Sequence, residues 1–162
     1  MDTLAPRLAG ARFLDLFAGA GGVGLEAISR GAAQATFVER DARAIAALRA
    51  NVATLELEAS VRVQRGDVLR ELTALYRDGE RFDLVFLDPP YEAGLLETTL
   101  ETLGGGGLLM AEGWVIAQHF TKRAPAPTVG ALVAFRTRRR RGCRKAPARS
   151  GRKAAGSCRA WA

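Results

Sequence analysis

Asp88, Pro89, Pro90 and Tyr91 stand side by side directly after an apolar run, and together they have the chemistry of an acceptor platform. Two consecutive prolines fix two φ angles and remove two amide donors, which leaves carbonyl oxygens as the polar groups of a stiff loop. Asp88 adds a carboxylate acceptor, and Tyr91 adds a flat π surface on which a nucleobase can stack for about 1 to 3 kcal/mol. Such a loop suits a planar substrate carrying an exocyclic NH2; the competing reading is a stiff turn with a core tyrosine. The amine of guanine, adenine or cytosine is a poor nucleophile because its lone pair is delocalised into the ring. If Asp88 and the Pro89 carbonyl accept both amine hydrogens, the nitrogen can pyramidalise and aim its lone pair at an electrophilic methyl group. Catalysis then consists of alignment and stabilisation of the charge that appears on the amine.

A second group of residues has the spacing of a nucleotide-binding loop. Gly19, Gly21 and Gly24 form GxGxxG within AGAGGVG, where glycine permits a tight turn and close backbone approach to a ligand. The motif alone also fits a plain strand-to-helix turn. Glu39 lies 20 residues beyond Gly19, at the position where an acid can accept hydrogen bonds from a ribose diol, and it also fits a solvated charge at a strand end. Asp67, in RGDV, fits an acceptor for an adenine amino group with Val68 against the ring, and equally an N-cap for the helix that follows.

These residues need a scaffold that brings loops 19–24, 39–41, 67–68 and 88–91 together. The sequence supplies one in the alternation of short β-rich runs with longer amphipathic stretches, the pattern of a parallel sheet with crossover helices. The expected strands are 12–17 (RFLDLF), 35–39, 61–65, 82–88 (FDLVFLD) and 114–119, the fourth with the apolar density of a strand buried on both faces. Helices are expected over 23–30, 42–55, 68–76 and 95–103. Asp41 is placed to cap the second of these, and four glycines from Gly104 to Gly107 end the last. After Pro127, residues 129–136 read as one more strand.

Composition bounds the rest. A chain of 162 residues with 48% hydrophobic content fits one domain with a sizeable core. The net charge of +7 is unevenly spread: residues 136–162 hold 11 of the 24 Lys and Arg and no acid, leaving the body at a net −4. We therefore expect a folded domain over 1–138 and a basic, disordered tail over 139–162 that carries most of any RNA affinity. Cys143 and Cys158, both in that tail and away from the single histidine, suggest neither a disulfide framework nor a metal site. The sequence has no apolar run long enough for a membrane span and no signal-peptide core, so a cytoplasmic protein without membrane or metal partners is expected.

Three stretches carry a family resemblance: FLDLFAGAGGVGLEAISRGA over 13–32, FVERD over 37–41, and FLDPPY over 86–91 with GLLE after it. They resemble class I S-adenosylmethionine-dependent methyltransferases, and within them the bacterial 16S rRNA guanine-N2 methyltransferases called RsmD. WVIAQH over 114–119 is similar to the family's fifth strand. The resemblance implies an α/β Rossmann-like fold, a mostly parallel central sheet with helices on both faces. It implies S-adenosyl-L-methionine as cofactor, with Asp15, Gly19 and Gly21 at its methionine end, Glu39 on the ribose, and Asp67 and Val68 on the adenine. Asp15 equally fits a buried organiser of the loop. Asp88, Pro89, Pro90 and Tyr91 would hold a flipped guanine, in 16S rRNA or a small-subunit assembly intermediate, on a monomeric enzyme. Glu26 fits a solvated helix face and a ligand contact equally, while Trp114 and His119 read as a core residue and a strand-end residue.

Two features depart from the family. Its members usually carry a longer segment ahead of the first strand, including a basic hairpin, and an apolar stretch at the last strands. Here the text near Arg138 turns into Arg, Gly and Ala, which resembles a shift of reading frame and also fits an RNA-binding extension. The other functions compatible with these residues are N6-adenine methylation of DNA or another RNA, a truncated module that binds cofactor or RNA without turnover, and an NAD-dependent oxidoreductase. The last leaves the Asp-Pro-Pro-Tyr loop without a task.

Overall fold

The computed structural model describes residues 5–90, 94–119, 125–134, 138–140 and 143–148, with side chains described between 6 and 134 within those ranges. After a single turn α1 (Ala5–Leu8), strands and helices alternate: β1 (Arg12–Leu16), α2 (Gly22–Ser29), β2 (Gln34–Glu39), α3 (Ala42–Thr54), β3 (Val61–Arg65), α4 (Val68–Arg77), β4 (Phe82–Leu87), α5 (Leu95–Gly104) and β5 (Leu109–His119). The strands lie in the order β3-β2-β1-β4-β5, all parallel, as the alternating pattern requires.

The apolar runs became parallel strands because both of their faces are covered. Along β4, Val85 and Leu87 enter one core cluster with Leu72 and Leu75 of α4 and Leu100 of α5. Leu84 and Phe86 enter the other, with Leu25 of α2 and Leu48 and Val52 of α3. Each fully buried Leu or Phe contributes about 1.5 to 3 kcal/mol relative to exposure, so successive residues of β4 anchor opposite layers. Helices α3 and α4 start where side chains can satisfy their free amides, whereas α2 and α5 start at the left-handed glycines Gly21 and Gly94. Asp41 accepts from the amides of Arg43 and Ala44, and Asp67 from those of Leu69 and Arg70.

Three expectations need correction. The strand expected over 129–136 is a small hairpin, β6 (Thr128–Val129) and β7 (Leu132–Val133), because Gly130 at φ 57° turns the chain and Leu132 then enters the core. The strand expected over 114–119 begins five residues earlier, at Leu109, with an irregularity opposite Phe82 and Leu84. The basic segment beyond 138, expected to lack structure, contributes β8 (Arg138–Arg140) and β9 (Cys143–Ala148), with β9 antiparallel to β5. Strand pairing uses backbone groups that a composition argument does not weigh, and β5 would otherwise present an open edge. Residues 149–162 lie outside the described residues.

The strand order sets where a ligand can go. The chain builds outward from β1 through β2 to β3, then returns to lay β4 on the other side of β1. That reversal opens a crevice at the carboxyl ends of β1 and β4, the usual ligand site of such sheets.

Candidate functional site

Phe17 leaves β1 at φ 60°, a left-handed conformation that costs a bulky residue strain and that turns the loop across the sheet edge. The three glycines beyond it do different work. Gly19 (φ 55°) has open space where a side chain would be, whereas Gly21 needs its positive φ of 84° to begin α2. At Gly24 a Cβ would lie 2.3 Å from the Phe37 ring, so glycine lets α2 press against β2.

Two carboxylates tie this loop down. Asp15, only 2% exposed between Phe37 of β2 and Phe86 of β4, accepts from the Gly24 amide at 2.8 Å. Burial pushes its carboxyl up to about 8, against the pull of the Gly24 amide and with a further rise from the charges of Asp88 and Glu39. Glu39, half-buried at the end of β2, accepts from the Gly19 amide at 2.8 Å with one oxygen. Its other oxygen takes the amides of Arg40 at 2.8 Å and Asp41 at 2.9 Å. From α3, the Asn51 amide donates to the Ala20 carbonyl at 3.0 Å.

Over this frame lies a cavity of about 430 Å3, within the size range of cofactor sites. Of the residues singled out by sequence, Glu39, Asp67, Val68, Asp88 and Pro90 line it together. Asp15 lies beneath and Pro89 is buried, while Asp88 and Pro90 are exposed at the edge. Gly19 and Gly21 belong to the adjoining loop and are not among the lining residues; Tyr91 is outside the described residues. Phe17, Arg40, Gly66 and Leu95 complete the lining and had not been singled out. Nothing in residue type announces the turn at Phe17, but Arg40 and Gly66 adjoin predicted ligand residues and could have been taken with them. Glu26 pairs with Arg30 on the surface and is not among the cavity-lining residues, Trp114 is buried under the Arg7 guanidinium at 4.2 Å, and His119 is buried at the strand end, the last two as their surroundings in the sequence suggested.

The electrostatics discriminate among ligands. A dinucleotide's pyrophosphate draws on free amides of the loop and helix start, and here two of these, of Gly19 and Gly24, already serve Glu39 and Asp15. The lining holds three carboxylates, Glu39, Asp67 and Asp88, against one guanidinium, Arg40. Such a site fits a ligand with positive charge and hydroxyl and amino donors, as S-adenosylmethionine has, and opposes a diphosphate. Phe17, Val68 and Leu95 supply apolar surface for a ring. A second concavity of about 510 Å3, at the opposite edge of the sheet among Arg7, Asp83 and Glu112, contains none of the motif residues.

Comparison with known proteins agrees with this geometry. The Bacillus subtilis (strain 168) protein named "Putative rRNA methyltransferase YlbH" is 40% identical over 135 residues, covering 83% of this chain and 73% of that protein. The Escherichia coli (strain K12) ribosomal RNA small subunit methyltransferase D is 38% identical over 128 residues, 79% of this chain and 62% of the relative, so the chain spans about three fifths of that protein's length. Among solved structures, the one titled "Putative methyltransferase yhhF from Escherichia coli" superposes with a TM-score of 0.81 at 34% identity, covering 91% of this chain and 80% of its own. The fold is thus the α/β Rossmann-like fold of class I methyltransferases. A family model described as Conserved hypothetical protein 95 matches residues 1–145, and the chain belongs to that family of methyltransferases.

Proposed function

We propose that the protein methylates the exocyclic N2 amine of a guanine in 16S rRNA, using S-adenosylmethionine. The observation that carries this reading is the convergence of Glu39, Asp67 and Asp88 on one cavity, beside a loop in which the Gly19 and Gly24 amides are held by carboxylates. The names of the relatives support an rRNA substrate.

When bound, S-adenosylmethionine supplies a methyl group on a positively charged sulfur. The chain's own residues supply the rest. Glu39 holds the ribose hydroxyls, Asp67 and Val68 hold the adenine, and Asp15, Gly19 and Gly21 shape the methionine end. Asp88 and the Pro89 carbonyl accept the hydrogens of the guanine amine and stabilise the charge that develops on it. Tyr91 offers the stacking face for a base drawn out of its helix, an extrusion that costs a few kcal/mol. Pro89, buried beside exposed Asp88 and Pro90, fixes the loop so that these acceptors need no rearrangement.

The test is methyl transfer from labelled S-adenosylmethionine to small-subunit rRNA and to partly assembled subunits, followed by digestion and mass spectrometry of the nucleosides. N2-methylguanosine is the expected product. N6-methyladenosine would redirect the assignment to an adenine methyltransferase, and cofactor binding without any methylated nucleoside would leave a binding module.

A further inference from the structure

We propose that three arginines on the β2–β3 flank of the site, Arg43, Arg65 and Arg70, form a docking rim for the phosphates of RNA next to the target base. The inference rests on the reading of the chain as an RNA methyltransferase, and concerns how that substrate is held.

The three converge through topology. Arg65 ends β3, the outermost strand on that side among the described residues, in register with Glu39 at the end of β2. Arg43 and Arg70 lie in the first turns of α3 and α4, directly after the caps Asp41 and Asp67. All three are therefore at the carboxyl edge of the sheet, the edge that carries Asp88, and all are exposed. Arg40, a lining residue of the cavity, bridges this rim to the site.

Two observations bear on these cations. The first is helix polarity. Arg43 and Arg70 occupy the positive ends of their helices, where a cation is disfavoured by about 0.3 to 1 kcal/mol, whereas Arg77, in the last turn of α4, sits where the dipole favours it. Local stability does not explain arginine at the start of two helices, and departures from local preference concentrate at functional positions. The second is pairing. At the opposite edge Arg12 and Arg62 share Glu80, but among the described residues no guanidinium of Arg43, Arg65 or Arg70 makes an ion pair or hydrogen bond; Arg49 and Arg77 make none either, and what distinguishes the three from them is their place at the carboxyl edge. Of the carboxylates closest to them in sequence, Asp41 and Asp67 are engaged by their helix amides and Glu39 by Gly19, Arg40 and Asp41, while Glu71, next to Arg70, makes no ion pair with it among the described residues. Guanidinium groups without carboxylate partners, beside a site for a nucleobase, fit phosphate oxygens with bidentate geometry.

The β3 flank lies three strands from β4, about 14 Å at the usual strand spacing. The rim therefore meets the nucleic acid beyond the target base and positions the strand without reading its sequence.

The fold provides a matched control, because each helix carries one arginine at the rim and another away from it. Arg43→Ala/Arg70→Ala removes the rim pair, and Arg49→Ala/Arg77→Ala removes the same charge from the same two helices. In the full chain, fluorescence anisotropy with a labelled 16S rRNA fragment should give a rim variant that binds roughly tenfold to a hundredfold more weakly at moderate salt. Its slope of log affinity against log salt should be flatter by about 1 to 2, as for two lost phosphate contacts. The control should stay close to the parent, and calorimetric affinity for S-adenosylhomocysteine should hold in both variants. The rim variant should also melt no lower than the parent, since it removes cations from the disfavoured helix ends. Equal weakening in the two variants would reduce the effect to net charge and overturn the rim. Unchanged RNA binding in the rim variant would overturn it as well, while a parent protein that methylates no RNA would overturn the functional reading beneath it.

Discussion

The two edges of the central sheet are built from the same residue types and use them oppositely. At the amino edge, charge is spent on closure. Glu80 pairs with both Arg12 and Arg62, Asp83 accepts from the Arg12 backbone amide at 2.9 Å, and Gly104 packs so tightly on the β6–β7 hairpin that a Cβ would meet the Val129 carbonyl oxygen at 2.4 Å. At the carboxyl edge, carboxylates engage backbone amides, Phe17 holds a left-handed turn, and the rim arginines lack ion-pair partners among the described residues. The difference teaches how to separate residues that hold the fold from residues that await a ligand. A charge satisfied by another side chain argues for the first. A carboxylate held by amides with its cavity side open, or a cation left unpaired at the edge that carries the cavity, argues for the second.

The division is broken or sharpened by substitution. The largest effect is expected at Asp88. Asp88→Ala should lower methyl transfer by about two to four orders of magnitude while calorimetric affinity for S-adenosylhomocysteine stays close to the parent's, because its acceptor matters most as the amine gains charge. Affinity falling in step with turnover would move Asp88 into the cofactor half of the site. Glu39→Ala comes next, with about tenfold to a hundredfold weaker cofactor binding by titration calorimetry, as a charge-assisted hydrogen bond and the strap on Gly19 are lost together. An unaltered affinity would remove Glu39 from the ribose.

Asp15 tests the carboxyl edge through pH. Its carboxyl is raised from 3.8 to about 8 in the folded protein, so the fold holds a proton that the unfolded chain has released. Stability should therefore decline as pH rises from about 4 toward about 8. Melting temperatures across that range should fall more steeply for the parent than for Asp15→Asn, and parallel curves would mean that Asp15 is ionised throughout. The smallest effect is expected at the amino edge. Glu80→Ala should cost about 1 kcal/mol in denaturant unfolding, given partly exposed partners, and leave turnover per folded molecule unchanged. Reduced turnover without reduced stability would show that the amino edge does more than hold the fold.

Much of this was readable from residue type and order. Strands β1, β2 and β4 announced themselves because parallel strands are apolar on both faces, β3 through the alternation of Val61 and Val63 with polar residues, and Asp41 and Asp67 because each stands ahead of an amphipathic stretch. Glu39 and Asp88 were readable from their places at strand ends. What escaped depended on contacts distant in sequence or on backbone angles. The Asn51 strap spans 31 residues, and the positive φ of Phe17 has no signature in a bulky side chain. The turn at Gly130 was hidden inside an apolar run, and β8 and β9 joined the sheet through backbone groups in a segment whose composition argues against structure.

The reversal of strand order also sets a sequence of events in time. β1, β2 and β3 are neighbours both in the chain and in the sheet, so their pairing closes comparatively short loops and can begin early. β4 has no such advantage: the bond from the Arg12 amide to Asp83, where β4 meets β1, spans 71 residues. Closure over so long a segment is intrinsically slow. On a chain emerging at about 5 to 20 residues per second, the half of the cavity bearing Glu39 and Asp67 has seconds in which to form before Asp88 exists. The acceptor loop is added to that half afterwards, and the docking of β4 is the step at which two surfaces become one site.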